Sequence, residues 1–233
     1  MNSLLRRRLE RWSNRGMLTI TVGRATGRAE RMVQQLRGKI PPCVTAALVR
    51  SWLNGWCTAR RFQQGRGKCW LSEECSGDDS IEHYARCDWS WHMAKRRLKV
   101  EQSPRNIGRF LMLETSVQDD PAMLALNLYA VYNAVNHFRS SGQRGRENAA
   151  YHRISALYTQ AALLHTGLAR RMRSLWRQLL NTMGGAESGG RGRKPEEANV
   201  MVQSNSGLKQ TGYLIFNLML HRRTESAATH FAE

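Results

Sequence analysis

Four potential metal ligands lie close together in the stretch CWLSEECSGDDSIEHYARC, which runs from residue 69 to residue 87. They are Cys69, Cys75, His83 and Cys87, with the spacing C-x5-C-x7-H-x3-C. Three thiolates and one imidazole are a donor set that closes a tetrahedral zinc site. The spacing therefore predicts one structural Zn²⁺ per chain and a small zinc-stapled helical module around it.

The residues between these ligands favour the same interpretation. The turn sequence SGDD is followed by Ser80, so either Asp79 or Ser80 can cap a helix that begins near residue 81. On one continuous helix His83 and Cys87, four residues apart, would share a face. A cap at this point would fix the direction in which both side chains point.

Two alternatives stay open for this window. Cys69 and Cys75 could be ordinary buried thiols, with His83 at the surface. His92 could replace His83 as a ligand, although it lies five residues past Cys87, a spacing that a helix serves poorly. We rank His83 first.

Positive charge is the second constraint, because the chain carries a net charge of +18 and has a pI near 10.8. Residues 1–68 have a net charge of +13, whereas residues 69–87 have a net charge of −4. Such a surplus indicates a nucleic-acid partner, and arginine suits phosphate because its planar fork donates two hydrogen bonds. We therefore expect largely sequence-independent binding of RNA or DNA, mostly through residues before the metal ligands. The candidate phosphate-binding residues are Arg6, Arg7, Arg8, Arg60, Arg61, Arg66 and Lys68.

The apolar pattern predicts a mainly α fold in four parts. Residues 1–40 form a basic arm, partly disordered, with a loop or short strand at Met17–Val22. Residues 41–100 form the zinc-binding module, 101–183 a long helical hairpin, and 184–233 a flexible tail with a short apolar segment.

Individual helices follow from caps and periodicity. Val44–Leu53 is an amphipathic helix, and Thr58 can cap a short helix at Ala59–Gln63. Asp120 and Pro121 start the first hairpin helix, and one continuous second helix contains Ile154–Leu179. Two tryptophans behind the last ligand are expected to pack on the zinc module rather than stack on bases; they are Trp89 and Trp91.

Part of the chain resembles a known family. WLNGWCTARRFQ, then a cysteine pair, then DSIEHYARC resemble the zinc-binding region that is C-terminal to the polymerase in non-LTR retrotransposon reverse transcriptases. The matching parts are Val44–Leu53, Thr58–Gln63, Cys69–Cys75 and Asp79–Cys87, and the first cysteine gap is wider than the commoner C-x2-C form. The resemblance implies an accessory nucleic-acid-binding module detached from its polymerase.

No catalytic constellation is apparent in the sequence. The paired aspartates 78–79 and 119–120 do not follow apolar strands, as a polymerase metal site would require, and neither a P-loop nor a G-x-S-x-G motif occurs. Glu82 is the one candidate general base beside the ligands, but four protein ligands leave zinc no open position. We therefore expect a protein that is not an enzyme and has no small-molecule substrate.

The cellular setting is also an expectation from composition. No long apolar run or signal peptide is visible, so no membrane is expected among the partners. An odd number of cysteines, mostly clustered, favours a reducing intracellular compartment, nuclear or cytoplasmic. The alternative function is a structural or protein-interaction remnant of a retroelement, in which zinc only stabilises the fold.

Overall fold

A computed structural model describes residues 2–64, 67–144 and 147–184, and within these ranges the chain is mainly helical and has no strand. The predicted α class is therefore confirmed. The helices are α1 (Asn2–Ser13), α2 (Val22–Leu36), α3 (Pro42–Trp52), α4 (Ile81–Tyr84), α5 (Asp88–Leu98), α6 (Ile107–Phe110), α7 (Pro121–Ser141), α8 (Glu147–Leu163) and α9 (Thr166–Gly184).

The basic arm is folded rather than partly disordered. In α1 the side chains of Leu5, Leu9 and Trp12 recur at helical spacing and are all buried. α2 packs against α1 and begins at Val22, where the Thr21 side chain accepts a hydrogen bond from the N–H of residue 24. The expectation of disorder rested on the charged residues alone. The apolar residues between them complete the core, so the arm is helical. No strand forms between residues 17 and 22.

α7 is the central helix of the fold. The Asp120 side chain caps it as predicted, accepting from the N–H of Ala122 at 3.0 Å, with Pro121 in the first turn. Its apolar side chains are buried on nearly every side, and it contacts α2, α3, α5 and α8. A helix that is apolar all round is expected at the centre of a helical domain.

The predicted second hairpin helix is two helices, α8 and α9, separated at Leu164 and His165. The His165 ring caps α9, because its Nδ1 accepts from the N–H of Leu168 at 3.1 Å. Thr166 and Gly167 are poor helix formers, so interrupting the helix beside them costs little free energy. The apolar positions stay in register across the break, so periodicity predicted one continuous helix.

The chain up to Leu180 forms one compact unit. The arm, the region of the metal ligands and the long helices of this unit share one hydrophobic core. Most of the predicted tail, including its apolar segment at residues 213–220, lies outside the described residues.

Candidate metal centre

The fold brings the four predicted ligands together. One ligand atom from each of Cys69, Cys75, His83 and Cys87 lies within 4.8 Å of all the others, and the Cys75 Sγ is 3.4 Å from the His83 Nε2. Tetrahedral zinc, with Zn–S near 2.3 Å and Zn–N near 2.0–2.1 Å, separates its ligand atoms by roughly 3.5–3.8 Å. The donor set and its spacing therefore fit one zinc ion.

A short hairpin-like loop places the first two cysteines. The N–H of Cys69 donates to the carbonyl of Gly77 at 2.8 Å, and the N–H of Asp79 donates to the carbonyl of Gly67 at 2.6 Å. An isolated antiparallel bridge joins Lys68 to Asp78 between these bonds. The loop therefore begins and ends at the same place, so the thiols of Cys69 and Cys75 lie close together although five residues separate them.

The other two ligands do not share a helix, contrary to the sequence prediction. Ser80 caps α4 as predicted, its Oγ accepting from the N–H of His83 at 3.1 Å, but α4 ends at Tyr84. Cys87 instead occupies the N-cap position of α5. A spacing of four residues suits one helix, but here a turn between α4 and α5 brings His83 close to Cys87. His92 is exposed and lies outside the cluster.

Gly77 leaves room for the histidine ligand. A Cβ built on Gly77 would lie 2.0 Å from Cε1 and 2.1 Å from Nδ1 of the His83 ring. Real Cβ atoms essentially never approach so closely, and the atoms in the way belong to a planar ring. The imidazole therefore packs directly on the backbone of the loop, in a space that only glycine leaves open.

The three thiols differ in their electrostatic environment. A hydrogen bond from Cys69 lowers the pKa of Cys87 to about 4, and contacts with His83 and the N–H of Ser90 act the same way, against burial. That same hydrogen bond, together with burial, raises the pKa of Cys69 above its usual range. Burial is also the main cause that raises the pKa of Cys75. The protein environment thus favours the thiolate form of Cys87 and the protonated forms of Cys69 and Cys75.

Asp79 connects the ligand loop to the rest of the fold, a role that the sequence did not reveal. Its buried carboxylate accepts from the N–H of Ala59 at 2.7 Å, the Trp70 indole at 3.2 Å and the Tyr84 hydroxyl at 2.9 Å. The Arg139 guanidinium of α7 forms a salt bridge with the same carboxylate. A turn aspartate gives no sign of partners that lie so far away in the sequence.

Arg144 holds the loop from the other side. Its guanidinium donates to the carbonyls of Cys69 at 2.9 Å, Ser72 at 2.8 Å and Cys75 at 3.3 Å. Hydrogen bonds from a charged donor are stronger than neutral ones. The backbone of both cysteine ligands is therefore fixed by a residue that follows α7, and no sequence signal pointed to it.

Both tryptophans that follow the last candidate ligand pack in or against the hydrophobic core. Trp91 is fully buried, and its indole N–H donates to the carbonyl of Ala85 at 2.8 Å. Trp89 is half-buried and packs against the core.

The predicted phosphate-binding residues fall into different environments. Arg6 and Arg7 are exposed on α1, and Arg6 also pairs with the neighbouring Glu10. Lys68 is exposed on the ligand loop, whereas Arg66 lies outside the described residues.

Arg8 is the exception among the described candidates. It is 7% exposed, with its guanidinium 4.4 Å above the Trp12 ring. Burial lowers the pKa of Arg8 to about 10. This arginine therefore packs within the fold and presents little charge to a ligand.

Arg60 and Arg61 are exposed on a turn rather than on the predicted short helix. The turn retains the expected cap, because the Thr58 Oγ1 accepts from the N–H of Arg61 at 3.3 Å. The backbone then closes with a bond from the N–H of Gln64 to the carbonyl of Ala59, at 3.0 Å. Gln63 adopts a left-handed conformation with φ of 55°, so the turn does not continue as a helix.

Glu82 joins this turn to α1. Its carboxylate accepts from the Trp12 indole at 3.2 Å and lies 3.5 Å from Arg15 and 3.7 Å from Arg60. The Arg8 guanidinium interacts electrostatically with Glu82 and also with Arg11, Arg15 and Arg61. One acid thus lies among cations from two distant segments. We call the exposed members the arginine patch: Arg11, Arg15, Arg60 and Arg61.

No family model, curated protein or solved structure matches this chain. None of the helices in the described part of the chain is long and apolar enough to cross a membrane.

Proposed function

We propose that this protein is a non-catalytic, zinc-stabilised helical module that binds the phosphate backbone of nucleic acid. The observation that carries the proposal is the arginine patch, in which four exposed arginines from α1, the segment after it and the turn after α3 lie near Arg8 or near the Glu82 carboxylate. Clustered cations raise the local concentration of a polyanion and contact phosphate without reading sequence.

The acidic ligand loop does not oppose this binding as strongly as its composition suggests. One of its five acids, Asp79, is buried and forms a salt bridge with Arg139 of α7. Glu82 lies beside Arg15 and Arg60 and offsets part of their charge. The positive field before residue 69 is therefore only partly offset by the loop that follows it.

Zinc is proposed as a structural ion held by Cys69, Cys75, His83 and Cys87. Four protein ligands leave no coordination position for water or substrate, so the ion would supply folding free energy and no chemistry. Native mass spectrometry of the purified protein tests this assignment. One zinc per chain is expected, and a folded protein free of metal would contradict it.

The proposed origin is the accessory region of a non-LTR retrotransposon reverse transcriptase, detached from its polymerase. Support comes from the motifs WLNGWCTARRFQ and DSIEHYARC. The order of elements is also compatible with it: an apolar helix, a Thr-capped turn, two cysteines, and a Ser-capped helix that carries the histidine.

Fluorescence anisotropy across a salt series tests the nucleic-acid proposal. Replacing Arg60 and Arg61 together by Gln should weaken binding about equally for unrelated sequences, because arginines that bind phosphate read no bases. Every phosphate of B-DNA that the variant no longer neutralises should flatten the slope of log affinity against log salt by about 0.9. The matched control replaces Arg173 and Arg177, exposed on α9, in the same way.

An unchanged slope in the patch variant would remove the basis of the proposal. The alternative, a structural or protein-interaction remnant, would then be the better conclusion. One observation favours that alternative: several arginines serve the fold itself, including the buried Arg109 and the loop-binding Arg144. Part of the positive charge is therefore not available to a ligand.

A further inference from the structure

Phe62 is an exposed aromatic ring on the turn that carries Arg60 and Arg61 of the arginine patch. It is 48% exposed, although the fold buries most of its other large apolar side chains. The Arg61 guanidinium lies 5.3 Å from the ring centroid, and that of Arg139 lies 5.9 Å from it. An aromatic face flanked by cations matches the combination of stacking platform and phosphate contacts in proteins that bind single strands.

The turn presents this ring in a fixed position. The N–H of Phe62 donates to the carbonyl of Thr58 at 3.2 Å. Gln63 adopts a left-handed conformation with φ of 55°, which costs a non-glycine residue free energy. The N–H of Ala59 donates to the buried carboxylate of Asp79. The backbone under Phe62 is therefore anchored to the same aspartate as the ligand loop.

From this arrangement we propose that Phe62 is a base-stacking residue and that the ligand is single-stranded nucleic acid. A duplex hides the faces of its bases, whereas a single strand offers them, and every base has a face that can stack. The exposed Arg60 and Arg61 on the same turn then contact phosphates beside the stacked base, while Arg139 stays paired with Asp79. This inference rests on the proposed nucleic-acid function and specifies its substrate class.

The test compares a short oligothymidylate with a mixed-sequence DNA duplex, using the full chain and fluorescence anisotropy. F62A should weaken binding of the single strand by about 5- to 100-fold, the range that corresponds to the loss of one base stack. Binding of the duplex should change by less than about 2-fold. F62W, which keeps an aromatic face, should retain the single-strand affinity. V117A removes a fully exposed apolar side chain elsewhere and is the matched control.

Three outcomes would overturn the inference, and they differ in what else they affect. If F62A leaves single-strand binding unchanged while the wild type binds, only the stacking role fails. If F62A weakens single-strand and duplex binding equally, Phe62 supports the turn rather than stacks, and the inference again fails alone. If the wild type binds neither ligand at low salt, the proposed function fails with it.

Discussion

At the scale of single residues, the candidate centre depends on residues other than the four candidate ligands, and two of these lie in the ligand loop itself. Gly77 is one, because its missing side chain is the space in which the His83 ring lies. Asp79 is the other, because four donors from different parts of the chain meet at its carboxylate. Partners of this kind orient ligands and are as important to a metal site as the ligands.

Replacing Gly77 by Ala is expected to lower zinc affinity by about 10- to 100-fold, the range typical for residues that position a ligand. The added methyl group would occupy the position of the imidazole, so His83 would have to move away from the cysteines. Competition with a chromophoric chelator measures the change. G23A is the control, because a Cβ on Gly23 has nothing within 4 Å. Equal zinc affinity in both variants would contradict the role given to Gly77.

A buried ion pair makes stability depend on acid pH. Arg109 and Asp119 are joined by hydrogen bonds of 2.5–3.0 Å, and both side chains are almost fully buried. Burial acts to raise the pKa of Asp119, but the Arg109 guanidinium and the N–H of Ser116 outweigh it and hold that pKa below its usual range. The pair therefore contributes full stability above the unfolded pKa of about 3.9 and loses it as pH falls through the folded pKa.

D119N should lower the free energy of unfolding at neutral pH by about 3–5 kcal/mol, because it leaves the Arg109 charge buried without a counter-charge. Urea unfolding at a series of pH values measures this. The difference between wild type and D119N should shrink as pH falls below about 3.9, where the unfolded carboxylate takes up a proton while the folded one is still ionised. A difference that stays constant down to pH 2 would show that the ion pair is not its cause.

At the scale of elements, caps and apolar periodicity in the sequence predicted α3, the start of α4 and α7, and placed one helix where the structure has α8 and α9. Asp120 and Ser80 marked the starts of α7 and α4 correctly, since capping is a local interaction between neighbours. The break between α8 and α9 was missed, because it does not disturb the apolar register. The separation of His83 from Cys87 was missed for a similar reason, since the spacing four residues apart is compatible with a helix and with a turn.

The cluster of four candidate ligands could be predicted from the sequence, because Cys and His residues spaced so closely indicate a metal site. The residues that hold them in place could not, because their contacts join segments distant in sequence. Arg139 and Arg144 lie at and just after the end of α7, yet they bind Asp79 and the cysteine loop. In a chain with so many arginines, nothing distinguishes these two from those at the surface.

The cysteine loop depends on the segment after α7, which leads to a prediction for Arg144. R144K keeps the charge, but the ammonium group of lysine lacks the planar fork with which the guanidinium donates to three carbonyls. We expect zinc affinity to fall by about 10-fold, at the low end of the effect of residues that position ligands. R173K on the exposed face of α9 is the control, and the chelator competition used for G77A provides the measurement. Unaltered affinity in R144K would mean that the loop is ordered without this residue.

At the scale of the whole molecule, α1 and α2 belong to the same core as the ligand loop. Deleting residues 1–40 would therefore remove buried side chains such as Leu9 and Trp12 together with the charge. A truncation could not separate binding from folding. Substitution of exposed arginines, with the core left intact, is the sound way to test the contribution of the arm.

Removal of the metal should reduce protection from hydrogen exchange well beyond the four candidate ligands. Glu82 on α4 accepts from Trp12 of α1, and Asp79 binds Arg139 of α7. Hydrogen exchange after chelation should therefore show loss of protection in residues 69–87 and also in α1, whereas α8 should keep more of its protection. The expected loss follows from the zinc-binding free energy being part of the folding free energy. Loss confined to residues 69–87 would show that the loop folds independently of α1.

The position of Glu82 has a consequence for ligand size. The protein keeps a counter-ion of its own among Arg15 and Arg60, at distances where a phosphate would compete with it. A lone nucleotide would exchange one anion for another and gain little net attraction. A polymer gains from every further arginine that it reaches along the surface, and from the small ions that it releases. Under the proposed function, an internal carboxylate of this kind would therefore favour long chains of phosphates over free nucleotides.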